Sequence, residues 1–185
     1  MSQLTIYRHN PANNLEIQQT LNSGDFAVIS SNLTQRGIGF ERWPAKANLS
    51  ANAGQAEILA AYGPEINRVQ ANGQYPTIDA IRMQPTHPDR INLREKFLAE
   101  HIHKEDEVRF FVEGCGLFCL HINDEVLQIL CERNDWISIP AGTKHWFDMG
   151  ANPNFSAIRF FNNPDGWVAE FTADPIADRY PRLAD

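Results

Sequence analysis

Short apolar runs separated by turn residues fill the second half of the chain. Val108–Val112, Leu117–Ile122, Val126–Leu130, Trp136–Ile139 and Ala157–Phe161 are each four to six residues long. Glu113–Gly116, Asn123-Asp124, Arg133–Asp135 and Pro140–Gly142 stand between them as turns. Evenly spaced runs of this kind predict an antiparallel sandwich or barrel. The first half is mixed. Leu4–Tyr7 and Phe26–Ile29 read as short strands. Gln55–Ala61 is rich in helix formers and meets a stop at Gly63-Pro64. Pro64 suits the first turn of a second helix carrying Ile66 and Val69, and Pro88 opens a third through Leu93 to about Phe97. Neither a linker nor a repeat divides the chain. The expectation is one mainly β domain with helices over 1–185: a helical and strand front (1–97) packed on a barrel core (98–170), then a tail (171–185).

Composition narrows the class of function. The 16 Lys and Arg against 23 Asp and Glu give a net charge of −7, which excludes nucleic acid and anionic membrane surfaces as main partners. A hydrophobic content of 43%, with 11 Phe and 4 Trp, is enough to build a core. No apolar stretch reaches the ~18 residues of a spanning helix, and the N-terminus lacks the basic start and apolar run of a secretory signal. Cys115 and Cys119 invite a zinc reading, but no second pair follows, so they and Cys131 are read as reduced core thiols. These features together lead to the expectation of a soluble cytoplasmic protein.

Chemistry concentrates in one stretch. In an extended segment alternate side chains share a face, so His101, His103, Glu107 and Arg109 fall on one side. Glu105 has the same parity and needs a turn or bulge in the charged Lys104–Asp106 stretch to swing it away. A third imidazole, His145, follows the turn at Pro140–Gly142. Three neutral nitrogens and a carboxylate oxygen suit a divalent transition ion, and on an octahedral ion they leave two positions for a small substrate. A solvated surface pair is the bland reading of His-x-His, but Glu107, Gly114 and His145 at this spacing weigh against it. His9, His87 and His121 lack such company and are read as surface or internally satisfied histidines.

The pattern His101-x-His103-x3-Glu107-x6-Gly114 resembles the first cupin motif, and Pro140-x-Gly142-x2-His145 the second. Glu95, Asn134 and Met149 depart from the general cupin pattern without touching a ligand. The runs 96–114 (KFLAEHIHKEDEVRFFVEG), 139–149 (IPAGTKHWFDM) and 159–167 (RFFNNPDGW), with EILAAY at 57–62, resemble the bacterial acireductone dioxygenase family over nearly the whole chain. The resemblance implies a cupin jelly-roll barrel that binds one Fe(II) or Ni(II) through His101, His103, Glu107 and His145. It implies a substrate, 1,2-dihydroxy-3-keto-5-methylthiopentene, that reacts with O2 in methionine salvage. The iron form is then expected to give formate and 4-methylthio-2-oxobutanoate. The nickel form is expected to give methylthiopropanoate, formate and carbon monoxide. A monomer is the corresponding expectation.

Arg109 lies two residues beyond Glu107 on the same face, and its permanent charge would favour and orient a substrate dianion; pairing with a buried carboxylate alone is the alternative. The resemblance implies a part in metal uptake for Glu100 and in coupling the site to its surroundings for Asp106. Phe97, Phe110, Trp146, Phe147 and Trp167 are candidate walls for the thioether tail, though each is equally a core residue. Arg159 is open between substrate contact and structural ion pair. Two other readings keep the fold: a different cupin metalloenzyme, such as an isomerase or another diol dioxygenase, and a cupin that binds a small molecule without catalysis.

Overall fold

The computed structural model describes residues 1–10, 13–71, 73–163 and 167–184, with backbone alone at 13–15. In chain order its strands are β1 (Gln3–Asn10), β2 (Asn13–Ser23), β3 (Gly39–Arg42), β4 (Thr77–Met83), β5 (His101–Ile102) and β6 (Glu107–Ile122). They continue with β7 (Glu125–Glu132), β8 (Asp135–Ile139), β9 (Lys144–Asp148), β10 (Phe155–Phe161) and β11 (Glu170–Phe171). The helices are α1 (Phe26–Thr34), α2 (Gln55–Ala61), α3 (Gly63–Gln70) and α4 (Arg90–Leu98).

The long strand β6 organises the molecule because it belongs to two layers. Its first half pairs with β8 and β10, which in turn carry β3 and β4. Its second half pairs with β7 and β9, and that layer runs β11-β5-β9-β6-β7-β1-β2. All pairings are antiparallel, as the turn spacing implies. The fold is the expected mainly β jelly roll with helices, and hydrogen bonding does not close the sheet into a ring. Between the layers lies an apolar core that includes Leu4, Ile6, Phe111, Phe118, Leu127, Ile129, Ile137, Phe147 and Phe155. Each fully buried side chain of this kind contributes about 1.5–3 kcal/mol relative to exposure. A second cluster seals the outer face of the β6–β10 layer: Trp43, Ile58, Tyr62 and Ile66 pack on Val108, Phe110, Ile158 and Phe160.

Two expectations are corrected. Phe26–Ile29 is the start of helix α1 and no strand. Asp25 caps it by accepting from Val28 N at 3.0 Å, and Ile29 and Leu33, one helical turn apart, are buried while Phe26 and Val28 stay exposed. Glu113–Gly116 is not a turn but the middle of β6. Gly114 has φ +62°, and the register against β10 shifts between Ser156 and Ala157, so the strand bulges there instead of ending. A Cβ on Gly114 would fall 1.8 Å from Asn154 O, so only glycine fits. The helices expected at Gln55, Pro64 and Pro88 form within one or two residues of those bounds; β5 falls in the segment read as extended, and β2, β3, β4, β9 and β11 were not foreseen as strands.

Candidate metal centre

Three strands and one loop converge to build the site. His101 on β5 pairs directly with His145 on β9. His103 follows in the loop after β5, and its carbonyl accepts from Gly142 N at 2.8 Å, tying that loop to the turn before β9. Glu107 opens β6 opposite Ile139 of β8. The chain bends at Lys104-Glu105, as the parity argument requires, so Glu105 stays outside the cluster of buried His101, His103, Glu107 and His145. The donor atoms of the three histidines lie within 4.8 Å of one another. Glu107 Oε2 is 3.2 Å from His103 Nε2 and 3.0 Å from His145 Nε2.

The outer nitrogens decide what the inner ones offer. His101 Nδ1 donates to Ala99 O at 2.7 Å, His103 Nδ1 to Val168 O at 3.0 Å and His145 Nδ1 to Thr143 O at 2.8 Å. A carbonyl only accepts, so each Nδ1 carries the hydrogen, and a ring left neutral has its lone pair at Nε2. A lone pair facing a carboxylate oxygen at this range is repulsive unless a cation, a proton or a metal ion, lies between them. The donor set therefore fits a divalent ion on three imidazoles and one carboxylate.

Electrostatics favour a neutral His101 and an ionised Glu107, whereas at His103 burial is outweighed by the Glu107 carboxylate and the imidazole is raised, which favours a cation at that nitrogen. Burial, reinforced by neighbouring His145, pushes the His101 imidazole down to about 4, so it is neutral at pH near 7. Burial opposes ionisation of Glu107, but Arg109, His103 and His145 outweigh it and hold the carboxyl well below the usual carboxylate range. Arg109 Nη2 stands 2.7 Å from Glu107 Oε1. The guanidinium lies over the rings of Phe147, Phe118 and Trp167 at 4.7, 5.1 and 5.3 Å, and its Nε is buried without a hydrogen-bond partner among the described residues. A cavity of about 100 Å³ opens on the cluster.

The model of the ARD/ARD' family matches residues 3–169. The chain belongs to this family. It is 63% identical over 183 residues to the acireductone dioxygenase of Synechococcus sp. (strain RCC307), covering 99% of both chains. It is 60% identical over 184 residues to that of Prochlorococcus marinus (strain MIT 9313), covering 99% of this chain and 100% of the relative. A solved acireductone dioxygenase from Bacillus anthracis, with a cadmium ion in its active centre, aligns with TM-score 0.76 at 29% identity, over 92% of this chain and 98% of that one. ARD/ARD' membership and these relatives make the chain an enzyme, an oxidoreductase.

The remaining predicted residues separate in this ARD/ARD' structure. Phe97, Phe147, Trp167 and Arg159 line the cavity. Phe110 and Trp146 do not: the first is in the outer cluster under Trp43, the second packs against Tyr180. Arg159 also forms an ion pair with Asp79 at 2.5 Å, so both of its open readings have a contact. Glu100 is buried and grips His121 Nδ1 and Thr172 Oγ1, each at 2.6 Å. His121 is thus satisfied internally. Asp106 Oδ1 accepts from Ala141 N at 3.0 Å, and its carbonyl accepts from Trp167 Nε1 at 3.0 Å. Lys96, Ala169 and Phe171 also line the cavity and were missed. The β5–β11 pairing delivers Ala169 and Phe171, and no local pattern near residue 170 signals it.

Proposed function

We propose that this chain is a metal-dependent dioxygenase that cleaves the acireductone 1,2-dihydroxy-3-keto-5-methylthiopentene with O2 in methionine salvage. His101, His103, Glu107 and His145 hold one Fe(II) or Ni(II) ion per chain. The iron form gives formate and 4-methylthio-2-oxobutanoate, and the nickel form gives methylthiopropanoate, formate and carbon monoxide. The observation that carries this reading is the set of three imidazoles, each locked at Nδ1 by a backbone carbonyl, whose Nε2 atoms converge beside a buried carboxylate.

The ion, when bound, supplies Lewis acidity to the enediol oxygens and favours their ionisation. The chain supplies the rest. Arg109 presents a fixed positive charge and a free buried Nε–H, which suit an oxygen anion developing on the substrate. Its guanidinium is held against the Phe118, Phe147 and Trp167 rings, so little reorganisation is needed when the anion arrives. Phe97, Phe147 and Phe171 form apolar wall that suits a methylthio tail and keeps bulk water from the reacting carbons. Asp106 ties the loop before Glu107 to both the turn before His145 and Trp167, so a shift of one ligand loop is felt by the other. Glu100 holds β5 from behind through His121 and Thr172, where it is placed to influence how His101 receives a metal. In this reading the protein acts as a cytoplasmic monomer. Among the described residues no helix is long and apolar enough to cross a membrane.

The decisive experiment is separate reconstitution with iron and with nickel, followed by oxygen consumption and product analysis on the acireductone. Oxygen uptake by both forms, with carbon monoxide only from the nickel form, is expected. Oxygen uptake by neither loaded form would sink the proposal. Loaded protein that isomerises the substrate would be another cupin metalloenzyme, and loaded protein that binds and leaves the substrate unchanged would be a binding module.

A further inference from the structure

The cavity is lined by three cationic side chains, Lys96, Arg109 and Arg159. Two of them are already engaged: Arg109 with Glu107 at 2.7 Å and Arg159 with Asp79 at 2.5 Å. Lys104, at the start of the next loop, is engaged with Glu170 at 2.8 Å. Lys96 is exposed, and no carboxylate among the described residues pairs with it. Its position is held by the rest of α4. Arg94, half a turn earlier, is clamped to buried Asp148 of β9 at 2.7 Å, and Leu93 and Phe97 pack against the inner core. The helix therefore presents Lys96 at the cavity and not at an arbitrary point of the surface.

This placement matters because the whole chain carries a net charge of −7. Its average field opposes the approach of an anion, and an exposed unpaired cation at the opening reverses the local sign. We propose that Lys96 captures the enediolate form of the substrate at the mouth of the cavity and hands it to Arg109 at the floor. This rests on the acireductone reading above. In this role Lys96 sets affinity and rate of entry for anions, while the chemical step stays with the residues below. A cation in the last turn of α4 also complements the negative end of the helix dipole, a purely structural role that would leave ligand charge irrelevant.

The test compares the metal-loaded parent with Lys96→Gln and Lys96→Arg under anaerobic conditions. Trp167 lines the cavity and stacks on His103, so quenching of tryptophan fluorescence reports occupancy without turnover. Each protein is titrated with the acireductone and with its uncharged di-O-methyl ether. We expect Lys96→Gln to weaken acireductone binding about fivefold in dilute buffer, the upper range for one exposed charge. The difference should shrink below about twofold near 0.5 M salt, where screening is nearly complete. Ether binding should stay unchanged, as should kcat at saturating substrate in a separate aerobic assay, and Lys96→Arg should restore the parent affinity. Equal acireductone affinity in parent and Lys96→Gln overturns the proposal, as does a salt-independent loss shared by the ether. A parent that binds the acireductone yet consumes no O2 defeats the dioxygenase reading alone, and the variants still decide the role of Lys96. A parent that does not bind the acireductone overturns both.

Discussion

Asp148 closes three structural elements around β9, and its replacement by asparagine tests whether that junction has the expected weight. Its carboxylate accepts from Arg94 Nε at 2.7 Å and Nη2 at 3.1 Å, and from the backbone N–H groups of Gly150 and Leu183, each at 2.9 Å. Breaking a fully buried ion pair costs about 3–5 kcal/mol. The Asp148 side chain is 1% exposed, but Arg94 keeps 23%, so water recovers part of that loss. We assign about 2 kcal/mol to the pair on that ground. Asparagine keeps one acceptor oxygen but turns an N–H2 toward donors, which adds about 1 kcal/mol. The sum, about 3 kcal/mol, corresponds to a fall in Tm of roughly 6–12 °C for a domain of this size. The effect should also depend on pH. Burial alone would raise the carboxyl, but Arg94 and the two backbone N–H groups outweigh it and hold it below its ordinary value. A carboxyl depressed in the folded state stabilises fully above its unfolded pKa of about 4, and this contribution disappears as pH falls through the folded value. Parent and Asp148→Asn should therefore differ most near neutrality and converge in acid. Thermal and urea unfolding of chelator-treated protein measures this without the mass-action contribution of bound metal. A fall in Tm smaller than about 2 °C near neutral pH, or one equally large at about pH 3, would refute the reasoning.

The site and the scaffold yield three further expectations. Arg109→Met should retain metal but lower kcat on the acireductone by about 10²–10³, the range for losing one preorganised electrostatic donor; normal turnover with full metal content would remove Arg109 from the mechanism. His103→Ala leaves two imidazoles and should lower metal stoichiometry after dialysis, measured by elemental analysis, by about tenfold or more; full retention would argue against His103 as a ligand. Gly114→Ala places a methyl 1.8 Å from Asn154 O in backbone at φ +62°, so it should cost more than about 4 kcal/mol and yield little soluble protein, whereas Gly54→Ala, with no atom within 4 Å, should be tolerated.

How far the sequence reaches depends on the range over which each signal acts. Helices α2, α3 and α4 were legible from helix formers, Gly63-Pro64 and Pro88, because capping and termination act within one turn. The alternation of His101, His103, Glu107 and Arg109 was legible because strand geometry fixes side-chain direction over a few residues. The same reasoning misread Phe26–Ile29, where a short apolar run suits either element and burial of Ile29 and Leu33 settles it as helix. It also broke β6 at Gly114, since a glycine that ends a hairpin and one that makes room for another strand's carbonyl look alike along the chain.

The sequence by itself determined the kinds of donor atoms, their local order and a mainly β jelly roll with helices. Only the tertiary structure decided how those donors are prepared. The β5–β9 pairing sets His145 opposite His101, and the carbonyls of Ala99, Val168 and Thr143 fix which nitrogen of each ring faces inward. The choice among aromatic residues was likewise tertiary: Phe147 and Trp167 face the cavity, while Phe110 and Trp146, equally apolar along the chain, face other layers. Spacing along a strand can orient a side chain to one face. Which backbone carbonyl, ring or cation meets it there depends on contacts between residues such as His103 and Val168, far apart along the chain, and these form only when the layers bury their apolar faces together.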